Sequence, residues 1–163
     1  MNKRGAFMSD IGIVLAVMLL FSIVIVVGYK VFTSYNDKWQ LNPSIDTDSK
    51  AIVDTLHTRY VGLFDGIFMF VFALLAVMLF VSSAFIGTRP EFFFITVILA
   101  IFVIGISAVM SNVYNDVASN EQLNTSSSQF NFIPFIMDNL PSVALLFSAI
   151  VMVGLYVKIK GFV

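Results

Sequence analysis

The sequence predicts an all-α membrane protein with four transmembrane helices, in which spans two and three form a tight hairpin, plus an extra-membrane amphipathic helix and an interfacial segment. Of the 163 residues, 59% are apolar and only 12% are charged, whereas soluble domains carry about 25% charged residues. Four stretches without Asp, Glu, Lys, Arg or His approach the length of about 20 apolar residues that crosses a bilayer core. Because they show no alternation of polar and apolar residues, they predict helices rather than barrel strands.

The predicted spans belong to one membrane domain, residues 1–163, because no linker separates a second domain. Spans two and three are joined by the short segment GTRPE, and this short connection predicts the hairpin. Two long polar connections join the other spans and are predicted to lie together on the outer side. The spans cover about residues 11–29, 67–86, 92–110 and 141–159, and the outer connections are 30–66 and 111–140.

The first long connection contains the predicted amphipathic helix, residues 46–64. Apolar side chains recur there at three- and four-residue spacing, which is typical of one helix face. Ser44 or Asp46 would cap its N-terminus, because Ser and Asp accept hydrogen bonds from free amides of the first turn. The helix would either continue into span two as one long helix or bend at Gly62 and Gly66 to lie on the membrane surface.

The second long connection ends in an apolar segment, residues 130–140. It is interrupted by Pro134 and is too short to span a bilayer. An interfacial segment, or a lid over the outer end of the bundle, is predicted.

The distribution of basic residues predicts that both termini lie on the cytoplasmic side, or on the interior side of a virion membrane. Cytoplasmic loops carry an excess of Lys and Arg. The segments on the side that holds the termini and the GTRPE turn are short and rich in Lys and Arg, whereas the long connections have few Lys and Arg for their length. The first group is Lys3, Arg4, Arg89, Lys158 and Lys160, and the second is Lys30, Lys38, Lys50 and Arg59.

The tyrosines near the span ends are interpreted as interfacial anchors. Tyr29, Tyr60, Tyr114 and Tyr156 all lie at a predicted boundary, and amphipathic rings favour the headgroup layer. His57 lies one helical turn from Asp54 and is interpreted as a solvated side chain.

The candidate site residues are helix-packing or interface positions, not catalytic groups. Gly62 and Gly66 have a spacing that permits close approach of another helix, although a flexible junction with Asp65 as a solvated carboxylate is the preferred interpretation. Asp10 and Arg89 would form an ion pair between span one and the hairpin, which a double-mutant cycle tests. Small residues predict close packing within the spans, and these are Ser83, Gly87, Gly105, Ala144 and Ser148.

Several chemical classes are excluded by composition. The chain has no Cys and a single His, so a disulfide framework, a thiolate metal site or a His-rich centre is excluded. A net charge of −1 excludes a nucleic-acid binder that relies on bulk charge. Because no Asp, Glu, Lys, Arg or His lies in the apolar stretches 11–29, 67–86, 92–110 and 143–157 and no catalytic motif is present, we expect no enzyme activity, no cofactor and no metal.

The N-terminus is interpreted as a retained signal anchor, since a basic segment precedes a long apolar run. An alternative comes from Lys3-Arg4-Gly5 followed by Ala6, with Asp10 at the fifth position after Gly5. This pattern resembles the prepilin-type processing signal, which implies cleavage after the glycine. The family usually has Glu where this chain has Asp, and its members have one span and a soluble head.

These observations together predict a non-enzymatic structural or assembly protein, a subunit of a multisubunit membrane complex or of a membrane-containing virion. Its expected partners are the lipid bilayer and other membrane or capsid-type subunits, contacted through the outer connections, with self-association as a further expectation. The alternative is a small pore-forming or holin-like channel. A polar stripe along one span would distinguish it, but Ser82 and Ser83 do not continue into one.

Overall fold

In the computed structural model, all the regular secondary structure of the described residues is helical. These are residues 6–85 and 91–160, with side chains described for 11–81 and 94–156. The order of elements is α1 (Ala6–Leu41), α2 (Thr47–Phe85), α3 (Glu91–Ala118), α4 (Asn124–Ser127), α5 (Phe132–Asp138) and α6 (Leu140–Lys160). The predicted all-helical architecture is confirmed.

Among the described residues, three helices are long and apolar enough to cross a membrane, and they lie within α1, α2 and α3. Within the described residues, α5 and α6 together are a fourth candidate span, and these two helices meet at an angle of 75°. The bend has a local cause. Pro141 lacks a backbone N–H, and its ring clashes with the carbonyl four residues earlier, so α5 cannot continue straight into α6.

The first two helices extend well beyond the predicted spans. The predicted span one ends near residue 29, but α1 has 36 residues and ends at Leu41, just before Asn42-Pro43. A residue preceding proline disfavours the helical conformation, and nothing earlier breaks the helix. The predicted amphipathic helix and span two form one helix, α2, of 39 residues, so the continuous alternative is the observed one.

Asp46 caps the N-terminus of α2, as predicted. Its carboxylate accepts hydrogen bonds from the Ser49 amide at 2.8 Å and from the Ser49 hydroxyl at 2.7 Å. The backbone and side-chain hydrogen bonds of Ser49 hold the pKa of Asp46 below its usual value. A carboxyl whose pKa is lowered on folding stabilises the folded state at neutral pH, and this contribution is lost as the pH falls through the lowered pKa.

We therefore expect Asp46→Ala to fray the first turn of α2 at neutral pH. Amide hydrogen exchange at Ser49 and Lys50 should be faster in the variant, and the difference from wild type should shrink at pH values below the usual aspartate pKa. Asp48→Ala is the matched control, because no side-chain hydrogen bond of Asp48 holds this turn. Equal exchange in Asp46→Ala and wild type at pH 7 would contradict the capping role.

The four long helices pack as a ring in the order α1, α2, α6 and α3, with α3 closing against α1. In the described residues, α2 and α3 thus lie diagonally opposite each other instead of side by side. The predicted hairpin is wrong as a packed pair, because a short connection fixes the antiparallel direction of two helices but not their neighbours. The turn itself, residues 86–90, lies outside the described residues.

The buried face of α6 explains how this helix comes between α2 and α3. Ala144 is fully buried and Ser148 is 2% exposed, so the side chains toward the bundle interior are small where the helices approach. Phe147 lies on the same face and stacks on Phe72 of α2, with ring centroids 5.5 Å apart. Small and large side chains therefore alternate along the contact.

We expect Ala144→Leu to overfill this contact and to lower the free energy of unfolding by about 1–3 kcal/mol. Reversible unfolding in mixed micelles with increasing SDS would measure the change. Ala149→Leu is the matched control on the same helix, because Ala149 is exposed. Equal stability of the two variants would show that the buried face of α6 is not closely packed.

Candidate functional site at the hairpin end

Residues 42–46 join α1 to α2, and these two helices form a hairpin that is distinct from the predicted hairpin of spans two and three. We call the end of the bundle at which this α1–α2 hairpin, α4 and α5 lie the hairpin end. Asp65 of α2 holds this end together. Although we interpreted it as a solvated carboxylate, it is only 5% exposed, so that interpretation is wrong. Its carboxylate accepts backbone hydrogen bonds from Asn131 at 2.9 Å, from Phe132 at 3.0 Å and from Ile133 at 3.0 Å.

These amides are the N-terminal amides of α5, which an α-helix leaves without internal partners. Asn131 precedes the helix but forms no capping bond with its own side chain. Pro134 has no amide to satisfy, and the Phe135 amide donates to the carbonyl of Asn131 at 3.4 Å. A carboxylate is also favourable near the positive end of a helix. Asp65 therefore supplies from α2 the cap that α5 lacks, and it fixes α5, which lies in the segment predicted as interfacial or as a lid, to the bundle.

Aromatic rings form a second connection between the elements. Tyr29 of α1 lies 5.3 Å from the His57 ring, 5.5 Å from the Tyr60 ring and 5.6 Å from the Phe130 ring, measured between centroids. His57 and Tyr60 belong to α2, and Phe130 precedes α5. Tyr29 is therefore the centre of a cluster that joins three segments, beyond its predicted role as an interfacial anchor.

Two contacts with α1, a hydrogen bond and a ring stack, hold the His57 side chain in place. Its Nε2 lies 2.9 Å from the Thr33 hydroxyl, and its ring stacks on Tyr29. The interpretation of His57 as a solvated side chain is thus wrong, since it is half-buried and bonded across the α1–α2 contact. The sequence signal that we used was its helical carboxylate neighbour, which does not reveal a partner on another helix.

Gly28 is a site of close approach between α1 and α2 that the glycine spacing in the sequence did not indicate. A Cβ at this position would lie 2.8 Å from the Tyr60 hydroxyl, closer than real contacts allow. The hydroxyl of Tyr60 donates to the carbonyl of Ile25 at 3.4 Å, which requires the α1 backbone to be open at this point. The approach of Tyr60 to α1 therefore depends on the missing side chain of Gly28.

The other side of the end is closed by α3. The Ser111 hydroxyl donates to the carbonyl of Asp138 at 3.1 Å, which joins α3 to the end of α5. Tyr114 is only 1% exposed, so it contributes to the core, in contrast to the predicted interfacial anchor. Tyr114 therefore places a large aromatic side chain in the core near α5.

The predicted packing residues fall into three groups. Ala144 and Ser148 are buried in the bundle, whereas a Cβ at Gly62, Gly66 or Gly105 would meet no atom within 4 Å, so these glycines bring no described helix close. The side chains of the remaining predicted residues lie outside the described ones, and so does the predicted Asp10–Arg89 ion pair. They are Asp10, Ser83, Gly87 and Arg89.

Two of the buried hydroxyls in the middle of the helices are bonded locally, whereas the buried Ser148 hydroxyl of α6 has no hydrogen-bond partner among the described residues. The hydroxyls of Ser22 and Ser107, which are both buried, donate to carbonyls three residues earlier in their own helices, at 2.7 Å each. Within the described part of the chain, no group of three or more His, Cys, Asp or Glu side chains is placed to hold a metal ion. What the hairpin end provides is a surface of fixed shape.

Comparison of the chain with protein-family models, with curated proteins and with solved structures found no match.

Proposed function

We propose that the protein is a non-enzymatic structural subunit of a larger membrane assembly, either a multisubunit membrane complex or a membrane-containing virion. In this proposal α1, α2, α3 and α6 supply four crossings, and α5 lies over the outer end of the bundle. Both termini then lie on the cytoplasmic or virion-interior side, and the hairpin end faces outward to bind protein partners.

The length of the first two helices supports a projecting hairpin. The 36 residues of α1 correspond to about 54 Å at a rise of 1.5 Å per residue, well above a hydrocarbon core of about 30 Å. From Tyr29, at the end of the uncharged apolar run, to Leu41 is about 18 Å. The α1–α2 hairpin therefore extends beyond the lipid, where its side chains meet water or another protein.

The observation that carries the proposal is the apolar tip of this hairpin. Leu41 is 83% exposed and Ile52 is 63% exposed, so the described residues of the chain leave both uncovered. Membrane lipid does not reach side chains at this height. Exposed apolar side chains outside the bilayer are typical of protein–protein contact surfaces.

The tip is also held in one conformation. The Gln40 side-chain amide donates to the backbone carbonyl of Lys50 at 3.0 Å and to the side-chain Oδ1 of Asn36 at 3.2 Å. Asn36 is itself 6% exposed. A surface that is ordered before binding loses less conformational entropy when a partner docks, which suits an assembly role.

Variants at the tip test the proposal. The protein would be purified in mild detergent from its native membrane, and co-purifying partners or self-assembled species would be quantified by crosslinking and mass spectrometry. Leu41→Glu/Ile52→Glu should reduce the recovered assembly about tenfold or more, because burying unpaired carboxylates in an apolar contact is costly. Ser44→Glu/Thr55→Glu adds the same charge at exposed polar positions of the hairpin and should leave the assembly intact.

A wild-type protein recovered only as a lone stable monomer would contradict the assembly role. So would equal loss of partners in the two double variants, since the effect would then follow charge and not the tip. Ion flux through liposomes that contain only this protein would favour the pore-forming alternative instead.

A further inference from the structure

An open apolar groove lies between α1 and α2, just below the projecting part of the hairpin, and it has a volume of about 690 Å³. Its aromatic wall is formed by Phe32 of α1 and by Tyr60 and Phe64 of α2. The centroids of Phe32 and Tyr60 are 5.7 Å apart, and Tyr60 and Phe64 stack at 4.2 Å. Together with the bond of Tyr60 to α1, these contacts give the wall a fixed shape.

Two leucines and a glycine complete the apolar lining. Leu56 is 56% exposed and Leu63 is 58% exposed, and they lie about two helical turns apart on α2. Gly62 lies beside Leu63, and no atom lies within 4 Å of the position its Cβ would take. The missing side chain keeps the groove open between the leucines and the aromatic wall.

One cation, Arg59, lines this otherwise apolar groove. The neighbours three and four positions away on α2 are Thr55, Leu56, Gly62 and Leu63, and none of them is acidic. Arg59 is exposed and forms no ion pair with the described residues of the chain. A guanidinium binds phosphate oxygens with paired hydrogen bonds, so this charge is complementary to a phosphate.

The groove lies at the height of the lipid headgroups. From Leu63 to Val81, the exposed face of α2 has no charged residue, and this length corresponds to about 27 Å, close to the thickness of a hydrocarbon core. Arg59 lies one turn beyond Leu63. The Tyr29 ring, at the end of the uncharged run of α1, contacts Tyr60 at the same height.

We propose that this groove binds one anionic phospholipid, with its phosphate against Arg59 and an acyl chain along the leucines and the aromatic wall. The apolar lining accounts for the acyl chain, and Arg59, which pairs with no acidic group of the described residues, accounts for the headgroup. The site is separate from the hairpin tip, so its failure and the failure of the assembly role are distinguishable.

Lipid retention by the purified full-length protein tests this inference. The protein would be released from nanodiscs of phosphatidylcholine and phosphatidylglycerol in a 4:1 ratio, and bound lipids would be counted by native mass spectrometry. We expect one phosphatidylglycerol per chain in the wild type. Arg59→Gln should weaken its retention about tenfold, the effect of losing a charge-assisted contact.

Two matched controls separate the groove from general effects. Lys30→Gln removes a cation near the same height but outside the groove, and it should change retention at most about twofold, because a screened surface charge contributes little. Gly62→Leu fills the groove and leaves Arg59 in place, so it should abolish retention, whereas Gly105→Leu, at another open glycine, should not.

Three lipid-retention results would overturn the site. They are equal retention of the neutral and anionic lipids, equal effects of Arg59→Gln and Lys30→Gln, and unchanged retention in Gly62→Leu. A groove occupied by a second copy of the chain would appear as dimers that exclude lipid, and this result would also overturn it.

Discussion

Replacing Asp65 by alanine is expected to loosen α5 from the bundle and to lower the free energy of unfolding by about 3–5 kcal/mol, because three backbone amides lose the carboxylate that accepts their hydrogen bonds. The carboxylate accepts bonds from the backbone amides of Asn131, Phe132 and Ile133, and no other described side chain replaces it. Reversible unfolding in SDS mixed micelles measures the loss. Hydrogen exchange at the three amides should accelerate before the bundle unfolds.

The stability loss of Asp65→Ala is compared with that of two further variants. Asp65→Asn keeps one carbonyl oxygen as acceptor, so we expect an intermediate loss of about 1–2 kcal/mol. Asp54→Ala removes a carboxylate from the exposed part of the same helix and should change stability by less than about 0.5 kcal/mol. If Asp65→Ala were as mild as Asp54→Ala, the cap from α2 would contribute nothing to the fold.

Replacing Tyr29 by alanine is expected to separate α1 from α2 and from the segment before α5 at the hairpin end. Tyr29 contacts the rings of His57, Tyr60 and Phe130. Aromatic pairs contribute about 0.5–1.5 kcal/mol each beyond their burial, so the loss of three should cost about 2–4 kcal/mol. The same SDS titration measures it, and the exchange of the His57 and Tyr60 amides should increase.

Tyr35→Ala is the matched control for Tyr29→Ala. Tyr35 is 47% exposed, and its ring contact is with Trp39 of the same helix, at 5.3 Å. Removing it should cost less than about 1 kcal/mol, because no second segment is released. A Tyr29→Ala variant as stable as Tyr35→Ala would show that the aromatic cluster does not join the elements.

The existence of the long helices could be predicted from the sequence, but their ends could not. Span one was predicted to end near residue 29, where the hydropathy falls, yet α1 continues to Leu41. Hydropathy measures the preference for lipid, whereas a helix ends where its backbone is broken, here at Asn42-Pro43. The same distinction explains why the amphipathic segment and span two are a single helix.

The burial of Asp65 could not be predicted, because its partners are backbone amides 66 to 68 positions away in the sequence. Backbone amides are present at nearly every residue, so they leave no compositional signal. The sequence did offer one clue in Pro134, which breaks the apolar segment but also fits the first turn of a short helix. Only the packing of α2 against α5 shows which carboxylate completes that turn.

The glycines show the opposite outcome. Gly62 and Gly66 had the spacing of a helix-packing motif, but both face open space, whereas Gly28 is the position where two segments approach closely. Spacing within one helix cannot show which face its neighbours occupy. The arrangement of α2 diagonally opposite α3 was hidden for the same reason, since it depends on how four faces pair at once.

Cysteine labelling in intact membranes tests most directly the four crossings on which the outward-facing hairpin depends. The chain has no cysteine, so single substitutions at Asn2, Ser44, Glu121 and Phe162 can each be labelled without background. We expect a membrane-impermeant maleimide added from outside to label the variants at Ser44 and Glu121, and to label those at Asn2 and Phe162 only after permeabilisation. Labelling of Asn2 and Phe162 from opposite sides would show an odd number of crossings and would contradict the proposed arrangement.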